Sequence, residues 1–150
     1  MRPQAARTEI PLIRRAAAAC LGLALCLFAG LSLAGGVLTG SDISTTFLGL
    51  TLDGVYADGI TFTETFRPDG ADAYSDGRGV NAGHWWVSGD TICTFYDALT
   101  GGCFAVERDG SNCFTFYVVD DGARRASAWT ARGWDHDRPA TCPGGEVAAR

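Results

Sequence analysis

The sequence contains no lysine and only two histidines, and acidic residues outnumber basic ones. All 12 basic residues are arginines, against 17 acidic residues, which gives a net charge of −5. Four arginines and one glutamate lie before residue 16, so the rest of the chain carries 8 arginines against 16 acidic residues, a net charge of −8. An acidic domain repels phosphate backbones, and nucleic acid is therefore not expected as a partner.

Recognisable catalytic and metal-binding motifs are also missing. No serine or cysteine stands in a nucleophile motif beside His84. His136 lies between Asp135 and Asp137, which would raise its pKa, and an exposed polar loop explains this segment better than a cation site. The segment containing Asp69, Asp72 and Asp76 lacks the spacing of a calcium loop, and hairpin turns explain the same residues. The sequence therefore assigns no catalytic residue, metal ligand or cofactor, and it favours a non-enzymatic protein.

The N-terminus has the order of a secretory signal peptide. A basic segment ends at Arg15, the uncharged apolar run Ala16–Leu33 follows, and Ser32-Leu33-Ala34 offers a small-x-small cleavage site. We expect residues 1–34 to be the signal and residues 35–150 to form one domain, periplasmic or secreted. An uncleaved anchor is the alternative, because a membrane span needs about 20 apolar residues and this run is slightly shorter. A membrane is thus expected as a partner only if the signal is retained.

The cysteines of residues 35–150 agree with export. They are Cys93, Cys103, Cys113 and Cys142. An even number in a small exported domain indicates two disulfides, with three possible connectivities, whereas a zinc site would need a C-x₂-C pair that is absent. The loop at 98–101 favours a Cys93–Cys103 bridge between neighbouring strands, slightly out of register. Cys113 is then left to hold Cys142 and to tether an irregular tail at 133–150.

One short helix is predicted ahead of the strands. Thr39-Gly40-Ser41-Asp42 has the form of a capping box, and Ile43 and Phe47 lie four residues apart on one helical face before Gly49.

From residue 50 onward the hydrophobic period changes to two. Ile60, Phe62 and Phe66 alternate with threonines, as in a half-buried strand. Asp-Gly pairs, which tolerate the positive φ of hairpin turns, occur at 53–54, 58–59, 69–70, 76–77, 109–110 and 121–122. We predict strands near 50–57, 60–67, 71–75, 82–88, 91–97, 102–108, 112–119 and 123–131. The fold class is therefore all-β: an antiparallel meander of about eight short strands that forms a small barrel, half-barrel or sandwich, its core filled mainly by aromatic residues.

The consecutive tryptophans Trp85 and Trp86 suggest a ligand-binding patch. Consecutive strand residues point to opposite faces, so one ring must leave the core, and His84 shares the face of Trp86. We expect the exposed ring to lie beside Tyr96 as a binding patch, unless the helix or the tail covers it. Glu64 shares its face with apolar residues, where a carboxylate is costly unless Arg67 or another arginine pairs with it. It belongs either at the rim of the barrel or in a pocket, and we expect the rim.

The order of turn glycines, core aromatics and cysteines from about residue 38 to 119 also resembles a known family. The motifs are Phe47-x-Gly49-x-Thr51, Phe66-x-Pro68-Asp69-Gly70, Gly83-x-Trp85-x-Val87-x-Gly89-Asp90-x-x-Cys93, Cys103-Phe104-x-Val106 and Asp109-Gly110-x-x-Cys113. They resemble small exported proteobacterial proteins of a domain-of-unknown-function family, the DUF995 type. The resemblance implies an exported β-domain and carries over no catalytic residue.

Three functional hypotheses follow. The favoured one is an exported, non-enzymatic β-domain that binds a small apolar ligand or a component of the cell envelope. The second is an inhibitor of an exported hydrolase, such as a protease or lysozyme, because an acidic domain is attracted to a basic enzyme. The third is an enzyme with a pocket around His84 and Glu64. An open apolar cavity would favour the first, and a filled core with a protruding loop the second.

Overall fold

A computed structural model of the chain describes residues 35–120, 124–125 and 127–143. The predicted signal peptide at 1–34, the predicted turn at 121–122 and the end of the tail from 144 lie outside these residues.

The domain is an antiparallel β-barrel with one short helix, α1 (Gly40–Phe47). Its strands are β1 (Thr51–Tyr56), β2 (Thr61–Phe66), β3 (Ala71–Ser75), β4 (Val80–Ser88), β5 (Thr91–Tyr96), β6 (Gly102–Arg108), β7 (Phe114–Asp120), β8 (Arg124–Arg125) and β9 (Ala131–Asp135). Strands β1 to β7 pair in sequence, and β9 joins β7 to β1, so eight strands close the barrel. The short β8 pairs with the end of β7. The predicted all-β meander is confirmed, and of the three predicted forms it is the barrel.

The closing strand is not where the sequence placed it. Within the predicted strand 123–131 the structure describes the two residues of β8 and an irregular segment at 127–130, whereas β9 occupies part of the predicted irregular tail. The inward positions of β9 include Ala131 and Gly133, which show no hydrophobic periodicity. A Cβ atom at Gly133 would lie 3.2 Å from Leu52 and 3.5 Å from Phe116, so a large residue does not fit there.

Four of the predicted Asp-Gly pairs are turns. Gly59, Gly70, Gly77 and Gly110 all have positive φ angles, between 83° and 106°. Asp53-Gly54 instead lies inside β1, where the ring of Phe62 covers the glycine: a Cβ there would be 2.2 Å from the ring. The pair is not a turn because the neighbouring strand needs the space of the missing side chain.

Helix α1 closes one end of the barrel, which we call the closed end. The predicted capping box is present: the Thr39 backbone N–H donates to Asp42 at 3.0 Å, and the Asp42 N–H donates to the Thr39 hydroxyl at 3.3 Å. Ile43 and Phe47 are fully buried. The Phe47 ring lies 5.3 Å from that of Phe66 and 5.2 Å from that of Phe114. The helix therefore contributes two buried side chains to the core, and the Phe47 ring packs against the aromatic rings of the strands.

Both disulfides of the favoured pairing are present, Cys93–Cys103 and Cys113–Cys142. Cys93 and Cys103 are direct partners in the β5–β6 ladder, not slightly out of register as predicted.

The buried Asn112 holds the tail beside the second disulfide. Its side-chain amide donates to the carbonyls of Arg138 (3.1 Å) and Pro139 (3.0 Å), and its oxygen accepts from the Asp135 N–H at 2.9 Å. The tail is thus held by a disulfide and by a hydrogen-bond network at the closed end.

Candidate functional site

Strand alternation divides the four predicted patch residues between the two faces of the barrel. Trp85 and Tyr96 point inward and are each 8% exposed, whereas His84 and Trp86 point outward. The indole N–H of Trp85 donates to the Arg67 carbonyl at 2.8 Å, which satisfies it within the core. The prediction that Tyr96 belongs to a surface patch with the exposed tryptophan is wrong, because Tyr96 shares the inward parity of Ile92.

The aromatic residue that is exposed on the same outer face as Trp86 is Phe95, not Tyr96 as predicted. Trp86 is 48% exposed and Phe95 is 53% exposed, and Phe95 is the direct cross-strand partner of His84. Neither α1 nor the described part of the tail buries Trp86. This patch lies on the outside of the barrel.

A cavity of about 240 Å³ occupies the barrel interior at the end opposite α1, which we call the open end. Phe66 and Phe116 form its floor, and the loop residues Thr100 and Gly101 lie at its mouth. Its wall is formed mainly by aromatic side chains: Tyr56, Phe62, Tyr96 and Phe104. The loop is close against β5, since a Cβ at Gly101 would be 1.8 Å from the Thr94 carbonyl oxygen.

Glu64 lies in the wall of this cavity and not at the rim, so the predicted rim position is wrong. Its side chain points inward from the middle of β2, between Phe62 and Phe66, and only 9% of the residue is exposed. The Tyr96 hydroxyl donates a hydrogen bond to Oε1 of Glu64 across the barrel. Since His84 points to the outside, the hypothesis of an enzyme pocket formed by His84 and Glu64 is also wrong.

A second carboxyl group, that of Asp72, is buried next to Glu64. Asp72 is 3% exposed and points inward from β3, so it is not part of a turn like Asp69 and Asp76. Among the described residues, neither oxygen of Asp72 has a hydrogen-bond partner of regular geometry. A buried carboxyl without such partners is costly, and this one requires an explanation.

Burial dominates the electrostatics of the pair. It raises the pKa of Glu64 well above the ordinary value of 4.5, and the neighbouring charge of Asp72 raises it further. Burial also raises the pKa of Asp72, although the nearby Glu64 and Tyr96 offset part of the effect. Two carboxyls in one apolar environment titrate as a pair, and the second ionisation is strongly opposed. The pair therefore retains a proton at pH values where exposed carboxyls have lost theirs.

Gly83 of β4 allows Tyr96 to reach this pair. It lies between Asp72 of β3 and Tyr96 of β5 in the sheet. A Cβ at Gly83 would be 2.8 Å from the Tyr96 ring and 2.3 Å from the Phe95 carbonyl oxygen. The missing side chain leaves room for the tyrosine to lean across β4 towards Glu64.

A shallower hollow on the outer surface, of about 600 Å³, contains the other histidine. His136 Nδ1 lies 2.8 Å from Oδ2 of Asp53, which itself accepts a hydrogen bond from Thr63. The bond with Asp53 and its charge raise the pKa of His136, and Asp137 and Asp135 add to the rise. The flanking carboxylates thus act as the sequence indicated, but Asp53 of β1 has the larger effect.

Sequence reasoning missed Tyr96 and Tyr56 as cavity residues and Asp72 as the buried neighbour of Glu64, although a signal was present for each. In Ala71-Asp72-Ala73-Tyr74 the aspartate shares its parity with a core tyrosine, and Tyr96 shares its parity with Ile92. Tyr56 shares the parity of the buried Leu52 in β1. Asp72 was missed because it was assigned to a turn. The turns explained all three aspartates of this segment, so there was no reason to place one of them inside the barrel.

No group of three or more histidine, cysteine or acidic residues within the described ranges is arranged to hold a metal ion. Among the same residues no helix has the length and apolarity needed to cross a bilayer. Comparisons of the chain with family models, with curated proteins and with solved structures give no match.

Proposed function

We propose that this protein is an exported, non-enzymatic barrel that binds a small, mainly apolar molecule in the cavity at its open end. The observation that carries the proposal is the cavity itself: it is enclosed by strands on its sides and by Phe66 and Phe116 below, and it opens beside the 97–101 loop. Small-molecule sites are typically concave, mostly apolar and equipped with a few convergent polar groups, here Glu64, Thr94 and Tyr96.

The cavity volume limits the ligand to about one ring with a short substituent. A cavity of about 150 Å³ holds benzene, whereas sites for drug-sized ligands have about 300–1,000 Å³. At about 240 Å³ the cavity lies between these sizes. A long lipid chain would have to extend beyond the barrel.

Two observations support export. The first 34 residues have the composition of a signal peptide, and the two disulfides of the domain fit an oxidising, extracytoplasmic compartment.

Binding of toluene, followed by amide NMR shifts, tests the proposed site. We expect shifts in Thr94, Tyr96 and Gly102, and we expect Ala131→Leu, which fills the cavity, to abolish them while the fold is retained. Trp86→Ala is the matched control and should bind like the wild type. Shifts confined to the region of Trp86 and Phe95 would overturn the cavity proposal in favour of the outer patch.

A further inference from the structure

We propose that the natural ligand of the cavity is a small organic cation, a protonated or quaternary amine carried on a body of about one ring. The inference deepens the proposed function and rests on it. It starts from the carboxyl group of Glu64 in the cavity wall and from the aromatic rings around it.

The cavity has negative charge available and no positive charge to balance it. None of the described residues that line it is an arginine or a histidine, and the chain has no lysine. Asp72 adds a second buried carboxyl next to Glu64, close enough for the two groups to share a proton. A site for a purely apolar ligand gains nothing from two buried acids, whereas a bound cation compensates a single negative charge on the pair.

The aromatic walls suit the same ligand. The face of an aromatic ring carries partial negative charge, and cations bind over it, as in the aromatic cages that recognise quaternary ammonium groups. Phe62, Tyr96 and Phe104 line the cavity together with Glu64. A carboxyl group and three aromatic rings thus line one small volume.

A monovalent cation is balanced by a carboxyl pair that carries one negative charge, so a pair with both carboxyls protonated must give up one proton when the cation binds. The other titratable groups that face Glu64 are Asp72 and Tyr74 on β3, Tyr56 on β1 and Tyr96 on β5. Burial raises the pKa of all three tyrosines, so they remain neutral throughout the physiological range. Arg78 acts on Tyr74 from outside the cavity. The proton released on binding therefore comes from the Glu64–Asp72 pair, and affinity for a cation should rise with pH.

The test compares benzylamine with benzyl alcohol, which has nearly the same shape and no charge. Isothermal titration at pH 5.5 and pH 7.5, in two buffers of different ionisation enthalpy, measures affinity and proton release together. We expect benzylamine to bind roughly tenfold more tightly than the alcohol at the higher pH, with release of a proton. Glu64→Gln, which keeps the shape of the side chain, should reduce benzylamine affinity to that of the alcohol and abolish the proton release.

The outcomes separate this inference from the proposed function. Equal binding of both probes would overturn the cation inference and leave the cavity as a neutral site. Binding of neither probe to the folded protein would overturn both proposals. If Glu64→Gln does not fold, Asp72→Asn replaces it, and an unchanged benzylamine affinity and proton release in that variant would count against the carboxyl pair as the determinant.

Discussion

At the closed end of the barrel the interior is filled by Phe47, Phe66 and Phe114, and the chain is fixed by a disulfide and by Asn112. At the open end the same strands surround a cavity that contains Glu64 and Tyr96. At both ends, every second residue of a strand points into the barrel. The inward side chains pack against one another at the closed end, whereas at the open end they leave a space between them. The packed closed end thus accounts for much of the stability of the barrel, whereas the open end contains the unfilled space in which the proposed ligand would bind.

The largest expected effect concerns aromatic packing at the two ends. Phe47→Ala should reduce the free energy of unfolding by about 3–5 kcal/mol, because a fully buried ring is lost and a cavity is left. Phe104→Ala at the open end should cost only about 1–2 kcal/mol, because this ring is half-buried beside existing space. Urea denaturation followed by circular dichroism measures both. Equal losses would mean that the two ends do not differ in packing.

The second prediction compares the contributions of the two disulfides to the free energy of unfolding. Replacing Cys113 and Cys142 by serine removes a link across 29 residues and should cost about 3.5 kcal/mol, whereas replacing Cys93 and Cys103 removes a link across 10 residues and should cost about 2.7 kcal/mol. Melting temperatures of the two double variants and of the reduced wild type provide the measurement. A larger loss for the Cys93–Cys103 variant would contradict the assignment of stability to the closed end.

Asn112→Ala should cost about 1–3 kcal/mol, because the Asp135 N–H and two tail carbonyls lose their partner away from water. We also expect faster amide exchange at Asp135 and Thr141, and no change in exchange at Thr94. Ser111→Ala, an exposed neighbour, is the control and should resemble the wild type. A loss of protection spread over both ends would show that the closed end does not act as a separate unit.

The smallest expected effect is a change in the pH dependence of stability. The pKa of Glu64 is raised in the folded state, so its stabilising contribution is complete below the unfolded value near 4.5 and is lost as pH rises through the folded pKa. Glu64→Gln should therefore match the wild type at pH 4 and become relatively more stable as pH increases. Denaturation midpoints from pH 4 to pH 8 measure the difference, and Asp97→Asn controls for the loss of one exposed negative charge. A parallel pH profile for the wild type and Glu64→Gln would contradict the buried position of the carboxyl.

The closed end was the more predictable from sequence. The capping box of α1, the pair Ile43 and Phe47, and the separation of Trp85 from Trp86 all follow from interactions within a few residues, and all are confirmed. The favoured disulfide pairing followed from the order of the hairpins.

The open end was predicted less well because it depends on contacts between distant strands. Nothing near Glu64 in the sequence shows that Tyr96 reaches across Gly83 to bond it, so an inward acid was assigned to the rim. The position of the closing strand β9 was mispredicted for a similar reason. Its inward residues Ala131 and Gly133 are small because they lie against larger side chains of other strands, such as Leu52 and Phe116 at Gly133, so they give no hydrophobic pattern.

The pairing of β1 with β9 also determines when the barrel can form. The first strand finds its second neighbour only at residues 131–135, so a chain emerging from its N-terminus can form hairpins but cannot complete the cylinder until its end is available. Contacts between segments so far apart in sequence make folding slow, because the entropy of closing the long loop is lost before the contacts are gained. The chain therefore stays incompletely folded until residues 131–135 are available, and the last described strand determines when the first one is fully paired.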